Sequence, residues 1–557
     1  MPLHNERYVL AIDLGTSGAK VALVTTTGRV VAHEKEHVDL ILGEGGLAEQ
    51  DPDSWWQAIC LASRRLLQRH PVPAEAIVSA CAGSQWSCTV AVDANGVALR
   101  HAHSWLDSRG RKQARRVVGG WIRVPGTPYS ARKLMTWLRR TGGAPSIDGK
   151  DPVGQIHWIR TEEPQVYAAT RWFLDAPEYL TLRLSGRAVA TPDSIVPRWC
   201  TDNRDLSNVQ YDTKLLALTG IEREKLPDLV PSASVVGPMT PTARSELGLG
   251  GEHEIAVVAG VGDTIAAAIG AGAVNDYQPY LYIGTSAWYS YHLPHKRADV
   301  MRSVFTLPSV VPERYWAVGI QETAGKAVEW LLDNVIFASD EFASEARSED
   351  ALARLNAVGM AAPAGSNGVI FTPWLNGERT PVDDNDVRGG WHNLSLKTTR
   401  ADLVRSVIEG VMFNARWMIE SVDRLAKKDR PPVSLPIRFI GGGASSDLFC
   451  QVAANILGRS IAQVRDPVSA NLRGAGLLGA IGTGHLKWSQ VSDAAEIART
   501  FSPELSLRKL YDRRFEAFVR IYKGNKAVYR DLAAPVGKHE TKTNELAGQG
   551  QLLGSSD

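Results

Sequence analysis

The stretch Ala11-Ile-Asp-Leu-Gly-Thr-Ser-Gly-Ala-Lys20 decides the fold class of this chain. It links two apolar runs, Tyr8 to Asp13 and Ala19 to Val24, and a third run follows from Val30 to Val38. Short runs of β-forming residues joined by glycine turns are typical of antiparallel strands. The chain is therefore predicted to open with a three-stranded meander.

The turn at the centre of this stretch, Asp13-Leu-Gly-Thr-Ser-Gly18, is suited to binding an anion. Its glycines allow backbone N–H groups to converge, and the hydroxyls of Thr16 and Ser17 add donors. The Asp13 carboxylate would repel a bare phosphate, which indicates a Mg²⁺ ion between the two. Lys20 adds a positive charge. The alternative is an ordinary hairpin turn that Asp13 caps.

The same pattern begins again near the middle of the chain. Tyr280-Leu-Tyr-Ile-Gly-Thr-Ser286, followed by Trp288 to His292, repeats the strand, the Gly-Thr-Ser turn and the second strand. Such a repeat indicates two related domains, although Gly-Thr-Ser is common enough to recur by chance. The second turn has no matching aspartate. If both turns hold one polyphosphate, only the first would also hold the metal.

Composition excludes several classes of protein. The 557 residues carry 62 Lys and Arg against 60 Asp and Glu. The chain therefore lacks the basic excess that would indicate binding to nucleic acid or to an anionic membrane. No apolar stretch approaches the roughly 20 residues of a membrane span. Five scattered cysteines without a CxxC pair are typical of reduced thiols. These features predict a soluble cytoplasmic protein of more than one domain.

Two further segments could carry chemistry. Asp263, within Gly260-Val-Gly-Asp-Thr264, lies between a predicted strand and a predicted helix, where it could be a helix cap or a general base. Gly441-Gly-Gly-Ala444 could let a ligand approach the backbone, or it could be only a tight connection. By contrast, Gly319 to Ala327 is not a P-loop, because its glycines are one residue too far apart and Ala327 replaces the required Ser or Thr.

Taken in order, these segments resemble the FGGY family of carbohydrate kinases, which phosphorylate sugars and polyols. The likeness covers roughly Tyr8 to Gly484 and includes further motifs: Glu49-Gln-Asp-Pro-Asp-Ser-Trp-Trp56, Ser104-Trp-Leu-Asp-Ser-Arg109, Ala324-Gly325 and Asn376-Gly-Glu-Arg-Thr-Pro381. It implies an α/β fold of two ribonuclease H-like (actin-like ATPase) domains with a ligand cleft between them. The expected divisions are an N-terminal domain (7–273), a C-terminal domain (279–490), a helical extension (491–533) and a solvated tail (534–557).

The resemblance also implies the roles of individual residues, with ATP and Mg²⁺ as cofactors. Asp13 would serve the metal, and Asp263 would be the general base. The residues expected to bind the nucleotide are Thr16, Ser17, Gly18, Lys20, Gly284, Thr285, Gly325, Glu329, Gly442, Gly443, Ala444 and Asp447. Those expected to bind the acceptor are Gln85, Trp86, Ser87, Trp105, Asp263 and Thr264.

The acceptor segment departs from the family pattern. Many xylulose kinases read Gln-Met-His-Gly where this chain reads Gln85-Trp86-Ser87. The favoured acceptor is a ketopentose such as xylulose, and the alternatives are ribulose, gluconate, glycerol or another polyol. An actin-like ATPase or sugar-sensing module that transfers no phosphate is a further alternative, which the presence of Asp263 disfavours. Neither nucleic acid nor membrane is expected as a partner, and a homodimer stays open.

Overall fold

The N-terminal half of the chain is built on a mixed six-stranded sheet. The computed structural model describes residues 6–299, 302, 304–338, 340–341, 346–429 and 435–533. The strands are β1 (Tyr8–Gly15), β2 (Gly18–Thr25), β3 (Val30–His37), β4 (Ile77–Ser84), β5 (Val235–Pro238) and β6 (Ala256–Gly262). Their order is β5–β6–β4–β1–β2–β3. The predicted meander is confirmed, since β1, β2 and β3 pair antiparallel.

The C-terminal half contains a second mixed sheet, of eight strands. These are β7 (Tyr280–Ile283), β8 (Ala287–Leu293), β9 (Ala298–Asp299), β10 (Val304–Pro308), β11 (Tyr315–Gln321), β12 (Ile437–Ile440), β13 (Ile461–Val464) and β14 (Ile497–Phe501). Their order is β9–β10–β11–β8–β7–β12–β13–β14.

The two sheets share one pattern. In each, three neighbouring strands pair antiparallel, β1–β2–β3 in the first sheet and β7–β8–β11 in the second. The first strand of each trio also pairs parallel with a later strand, β1 with β4 and β7 with β12. A second parallel strand, β6 or β13, follows on the outside. This is the order of two ribonuclease H-like domains, as the repeat of Gly-Thr-Ser indicated.

Helices cover both sheets. The principal ones are α1 (Pro52–Arg69), α2 (Ala176–Ser185), α3 (Asp263–Gly270), α4 (Gly325–Leu331), α5 (Arg400–Ala426), α6 (Asp447–Leu457), α7 (Ala470–Gly482) and α8 (Arg508–Ala533). Shorter helices are Arg111–Val118, Ala131–Arg140, Pro152–Glu162, Pro164–Ala169, Thr213–Thr219, Pro241–Leu247, Ala351–Ala361 and Val491–Ala494. None of the described helices is long and apolar enough to cross a membrane.

The two domains meet where α3 packs against α7. Both helices are rich in glycine and alanine, so their backbones approach closely. A Cβ atom on Gly474 would lie 1.8 Å from the carbonyl oxygen of Ala266, and one on Gly270 would lie 1.7 Å from that of Ala470. Only glycine fits at such distances, so this crossing is fixed by the small residues.

The segment after residue 490 differs from the helical extension predicted for it. It contains the helices Val491–Ala494 and α8, but β14 lies between them and pairs antiparallel with β13. The reason is that Ile497 and Phe501 bring β-forming side chains to a sheet edge whose backbone groups would otherwise lack partners. The tail predicted for 534–557 lies outside the described residues.

Candidate active site

Asp13 lies near the end of β1 at the boundary between the domains. The register of β1 and β2 places it opposite Lys20, whose Nζ is 3.3 Å from Asp13 Oδ2. From the C-terminal domain, the Asn471 side chain donates a hydrogen bond to Asp13 Oδ1 at 3.5 Å. The buried carboxylate therefore has a cation on one side and an amide from α7 on the other.

Asp263 is the first residue of α3, directly after β6. The N-cap position of this helix is taken by Gly262, so helix capping does not account for the aspartate. Asp263 Oδ1 accepts a hydrogen bond from the backbone N–H of Thr264 at 2.7 Å. Burial, and secondly the negative charge of Asp13, raise the pKa of Asp263 to about 7. The two carboxylates thus lie near each other, and among the described residues only Asp13 forms an ion pair, with Lys20.

Thr264 contributes an unpaired hydroxyl beside this pair. Its Oγ1 is buried and has no hydrogen-bond partner among the described residues, while its carbonyl accepts from the Tyr280 hydroxyl at 2.6 Å. Buried hydroxyls in folded proteins normally have a partner. An unpaired one next to Asp263 fits a site that receives a polar ligand.

A closed set of hydrogen bonds connects the first turn with the predicted acceptor residues. The Thr16 hydroxyl accepts from Trp105 Nε1 at 3.0 Å and donates to Gln85 Oε1 at 3.2 Å. Gln85 Nε2 donates to Gln50 Oε1 at 2.7 Å, and Gln50 Nε2 returns to the Thr16 carbonyl at 2.9 Å. The side chain of Thr16, predicted to bind the nucleotide, therefore contacts the acceptor residues instead.

Trp86 and Ser87 follow Gln85 just after β4, which ends at Ser84. Trp86 is half-buried, its ring meets that of Trp316 edge-on at 6.4 Å, and its indole N–H donates to the Ser194 carbonyl at 3.3 Å. Ser87 has a positive φ of 67°, and its backbone N–H donates to Asp175 Oδ2 at 2.9 Å. The indole N–H therefore already has a protein partner, and the half-buried ring keeps part of its surface exposed.

The two Gly-Thr-Ser turns lie at corresponding positions of the two sheets. Ser17 is exposed at the tip of the first, and a Cβ on Gly18 would lie 2.3 Å from the Glu36 carbonyl oxygen. The second turn packs against α4, since Gly325 N–H donates to the Gly284 carbonyl at 2.8 Å. Thr285 is exposed, and its hydroxyl forms no hydrogen bond within the described part of the chain.

The remaining residues predicted for the nucleotide surround the end of β12. Gly441 has a φ of 83°, and a Cβ on Gly442 would meet no atom within 4 Å, so space is open in front of it. Gly443 packs closely on Ile283, and Ala444 is buried. Two predicted carboxylates instead pair with surface cations: Asp447 with Arg499 at 2.8 Å and Glu329 with Lys326 at 3.1 Å.

Several residues of this site were missed by the sequence reasoning. Gln50 and Arg379 lie inside recognised motifs but were given no role. Arg379 forms an ion pair with Glu322 at 2.5 Å and lies over the Trp105 ring at 5.5 Å, which joins the two domains. Asn471 lies in no motif that indicated a role in binding, and Tyr282 lies inside the second Gly-Thr-Ser motif but was given no role. Only the packing of the domains brings them to Asp13.

Comparison with known proteins agrees with this geometry. Residues 8–270 match the N-terminal domain of the FGGY family of carbohydrate kinases, and residues 280–483 match its C-terminal domain. The chain belongs to the FGGY family. It is therefore a carbohydrate kinase, an enzyme that transfers a phosphoryl group, as the resemblance implied.

Other members of the FGGY family are similar along nearly their whole length. A xylulose kinase of Staphylococcus epidermidis is 28% identical over 541 residues, which cover 95% of this chain and 99% of the relative. A gluconokinase of Bacillus licheniformis is 25% identical over 94% of this chain and 98% of its own. The structure of gluconate kinase from Lactobacillus acidophilus superposes with a TM-score of 0.79 at 23% identity, covering 95% of this chain and all of the other. That likeness shows the shared fold.

Proposed function

We propose that this kinase transfers the γ-phosphoryl group of ATP to a hydroxyl of a ketopentose such as xylulose, with Asp263 as the general base. The observation that carries the proposal is the raised pKa of Asp263, about 7, beside Asp13 at the boundary of the two domains. A base is most effective when its pKa lies near the working pH.

In this reaction the carboxylate of Asp263 takes the proton of the acceptor hydroxyl. The oxygen forms a bond to the γ-phosphorus while the bond between that phosphorus and the β–γ bridging oxygen breaks, and ADP leaves. Because such transfer depends mainly on positioning and charge neutralisation, the residues around Asp263 serve to orient the acceptor and to exclude water.

The residues present fit a magnesium ion. Asp13 and Asp263 bring two carboxylates together, and among the described residues only Asp13 pairs with a cation, Lys20, so a second cation would be stabilised there. Within the described ranges no group of three or more His, Cys, Asp or Glu side chains could hold a metal ion by itself. Mg²⁺ does not require such a group, because it binds one or two carboxylates together with water and phosphate oxygens. When bound, it would neutralise charge on the phosphates.

The C-terminal domain offers the surface for the nucleotide. The exposed Thr285 hydroxyl and the open space before Gly442 face the end of the sheet that carries β7 and β12. Lys20 and the backbone of the first turn would approach the phosphates from the other domain. Glu329 and Asp447 remain proposed contacts, since both are exposed and could exchange their ion pairs for ligand hydroxyls.

The acceptor side favours a neutral sugar. The predicted contacts other than Asp263 are Gln85, Trp86, Ser87, Trp105 and Thr264, and none of them carries a charge. An aldonate such as gluconate would bring its own carboxylate next to Asp13 and Asp263, which is unfavourable. A ketopentose avoids that repulsion and can lie on the indole rings. The same proposal places the enzyme in the cytoplasm, where ATP is available, and leaves the homodimer as a prediction.

An ADP-release assay tests this proposal. The purified protein is given ATP and Mg²⁺ with D-xylulose, D-ribulose, gluconate or glycerol, or with no acceptor. We expect the highest kcat/KM with a ketopentose. A preference for gluconate would show that the acceptor assignment is wrong, and ADP release that no acceptor stimulates would favour the ATPase alternative. The variant W86M/S87H, which restores the residues common in xylulose kinases, identifies whether this pair sets the preference.

A further inference from the structure

An open cleft of about 760 Å³ lies outside the proposed reaction site. It is lined by Gly45, Gly46, Ser108, Arg109, Arg111, Lys112 and Arg115. None of the residues assigned above to the nucleotide, the metal or the acceptor belongs to this lining. The volume lies within the range of roughly 300–1,000 Å³ typical of sites for small molecules.

The floor of the cleft is rigidly built. Arg109 is nearly buried, its Nη2 lies 2.7 Å from Asp107 Oδ2, and its guanidinium lies 4.2 Å from the centre of the Trp158 ring. Gly46 reaches the same wall so closely that a Cβ there would lie 2.1 Å from Ser108 Oγ. The floor of the cleft is therefore held in place by contacts within the protein itself.

Its rim carries positive charge that nothing neutralises. Arg111, Lys112 and Arg115 are exposed on the helix Arg111–Val118, and none of the three forms an ion pair or a side-chain hydrogen bond within the described residues. The lining contains no Asp or Glu. Over the whole chain, by contrast, the charges nearly balance, with a net charge of only +2.

This arrangement is unfavourable for the helix itself. Arg111 and Arg115 are four residues apart, as are Lys112 and Arg116, and like charges at this spacing repel each other on a helix. A local arrangement that costs stability without a compensating partner is typical of a functional position. The compensating partner expected here is an anion.

We propose that this cleft binds a small metabolite that carries a phosphate group. Arginine presents a planar set of donors that matches phosphate oxygens, and lysine adds a mobile point charge. The concave shape and limited size favour a phosphorylated small molecule over a nucleic acid strand, which would need an extended basic stripe. The proposal does not rest on the acceptor or on the mechanism proposed above.

Isothermal titration calorimetry tests the site with inorganic phosphate, pyrophosphate and glucose 6-phosphate as probes and with glucose as the neutral control. The cleft variant is R111Q/K112Q/R115Q. The matched control, R116Q/R132Q/R139Q, removes three exposed charges from the same and the neighbouring helix without touching the cleft. Circular dichroism melting is used to check the folding of both variants. We expect both to be folded, because all six side chains are exposed.

We expect a phosphate-bearing probe to bind the wild type and the control variant alike, and the cleft variant to bind it about tenfold more weakly or worse. Glucose should not bind at this site, and added salt should weaken the binding of the phosphate-bearing probe. Equal affinity in both variants would overturn the proposal, since the probe would then bind elsewhere. So would no measurable binding to the wild type at millimolar concentration, or tighter binding of a short RNA than of any small probe.

Discussion

The two Gly-Thr-Ser turns have the same sequence and the same place in the two sheets, yet the hydroxyls of their threonines, Thr16 and Thr285, have different surroundings. In the first turn, Gly15 pairs directly with Gly18, which leaves a two-residue loop whose Thr16 hydroxyl bonds to Trp105 and Gln85. In the second, Ile283 pairs with Ala287, so the loop has three residues and Thr285 is exposed. The turn with one extra residue is thus the one whose threonine is exposed, whereas the threonine of the shorter turn bonds within the protein.

The residue two positions before each turn glycine differs as well. Asp13 occupies this position in the first domain and Tyr282 in the second, where its ring stacks on Trp288 at 3.9 Å. Burial raises the pKa of Tyr282, and the charges of Asp13 and Asp263 add to the effect, so its phenol lies near both carboxylates. At this position the N-terminal domain thus carries a carboxylate, and the C-terminal domain carries an uncharged aromatic ring.

The helices α3 and α7, which follow corresponding strands, extend this division. The first begins with Asp263, and the second carries Asn471 near its start, whose amide donates to Asp13. A repeated fold therefore places an acid and an amide at related positions. In the proposed reaction the base therefore lies in the N-terminal copy, and the C-terminal copy supplies an amide that contacts Asp13.

The largest effect is expected from Asp263→Asn, which removes the proposed base of the N-terminal domain. Loss of a general base costs a factor of about 10²–10⁴ in kcat, while nucleotide binding should change little because the amide keeps the size of the side chain. Acceptor-dependent ADP release and ATP titration measure the two effects. The control is Asp466→Asn, which changes an exposed aspartate that follows β13 in the C-terminal domain. Near-normal turnover in Asp263→Asn would refute the assignment of the base.

Asp13→Asn should lower activity by about 10–100-fold at limiting Mg²⁺, because it removes a carboxylate expected near the metal. It should also change the pH profile. With Asp263 as the proposed base, its protonated form should be inactive, so kcat/KM should fall about tenfold per pH unit below its pKa of about 7. Without the charge of Asp13 that pKa falls, and the acid limb should move to lower pH. An unchanged limb and unchanged Mg²⁺ dependence would contradict both roles.

Gly474→Ala tests the contact between α3 and α7. The new methyl group would lie 1.8 Å from the Ala266 carbonyl oxygen, so the helices must separate. Overpacking of this kind lowers the free energy of unfolding by about 1–3 kcal/mol, measurable by urea denaturation. In Gly524→Ala, on the exposed side of α8, the methyl group meets no atom within 4 Å and should not destabilise the protein. Equal stability of the two variants would show that the crossing tolerates a side chain.

The smallest effect is expected from Trp86→Ala. Loss of an aromatic surface for the sugar costs about 0.5–1.5 kcal/mol, roughly a two- to tenfold rise in the acceptor KM, with the KM for ATP unchanged. Steady-state kinetics measure both constants. Trp121→Ala is the control, because that indole is fully exposed. If Trp86→Ala instead unfolds at much lower temperature with an unchanged acceptor KM, the ring serves only to pack against Trp316.

The sequence by itself determined the two-domain fold and the position of both carboxylates. Asp13 lies near the end of an apolar strand, two residues before Gly15, and Asp263 directly follows an apolar strand that ends at Gly262. Local spacing is enough to predict such strand ends. The Gly-Thr-Ser repeat indicated the second domain, because a turn between two apolar runs can likewise be recognised within a short stretch of sequence. A short motif contains the residues that form its own turn, so it predicts that a turn occurs there, although it does not fix the length of the loop.

The tertiary structure alone decided which groups meet. Thr16 bonds with Gln50, Gln85 and Trp105, and Asp13 receives an amide from residue 471, more than 450 positions away. It also decided that residues 497–501 complete a sheet. These contacts depend on the order of strands and on the crossing of α3 and α7, and no short stretch of sequence specifies either. Side-chain partners distant along the chain are set only when the packed core has fixed their distance and direction.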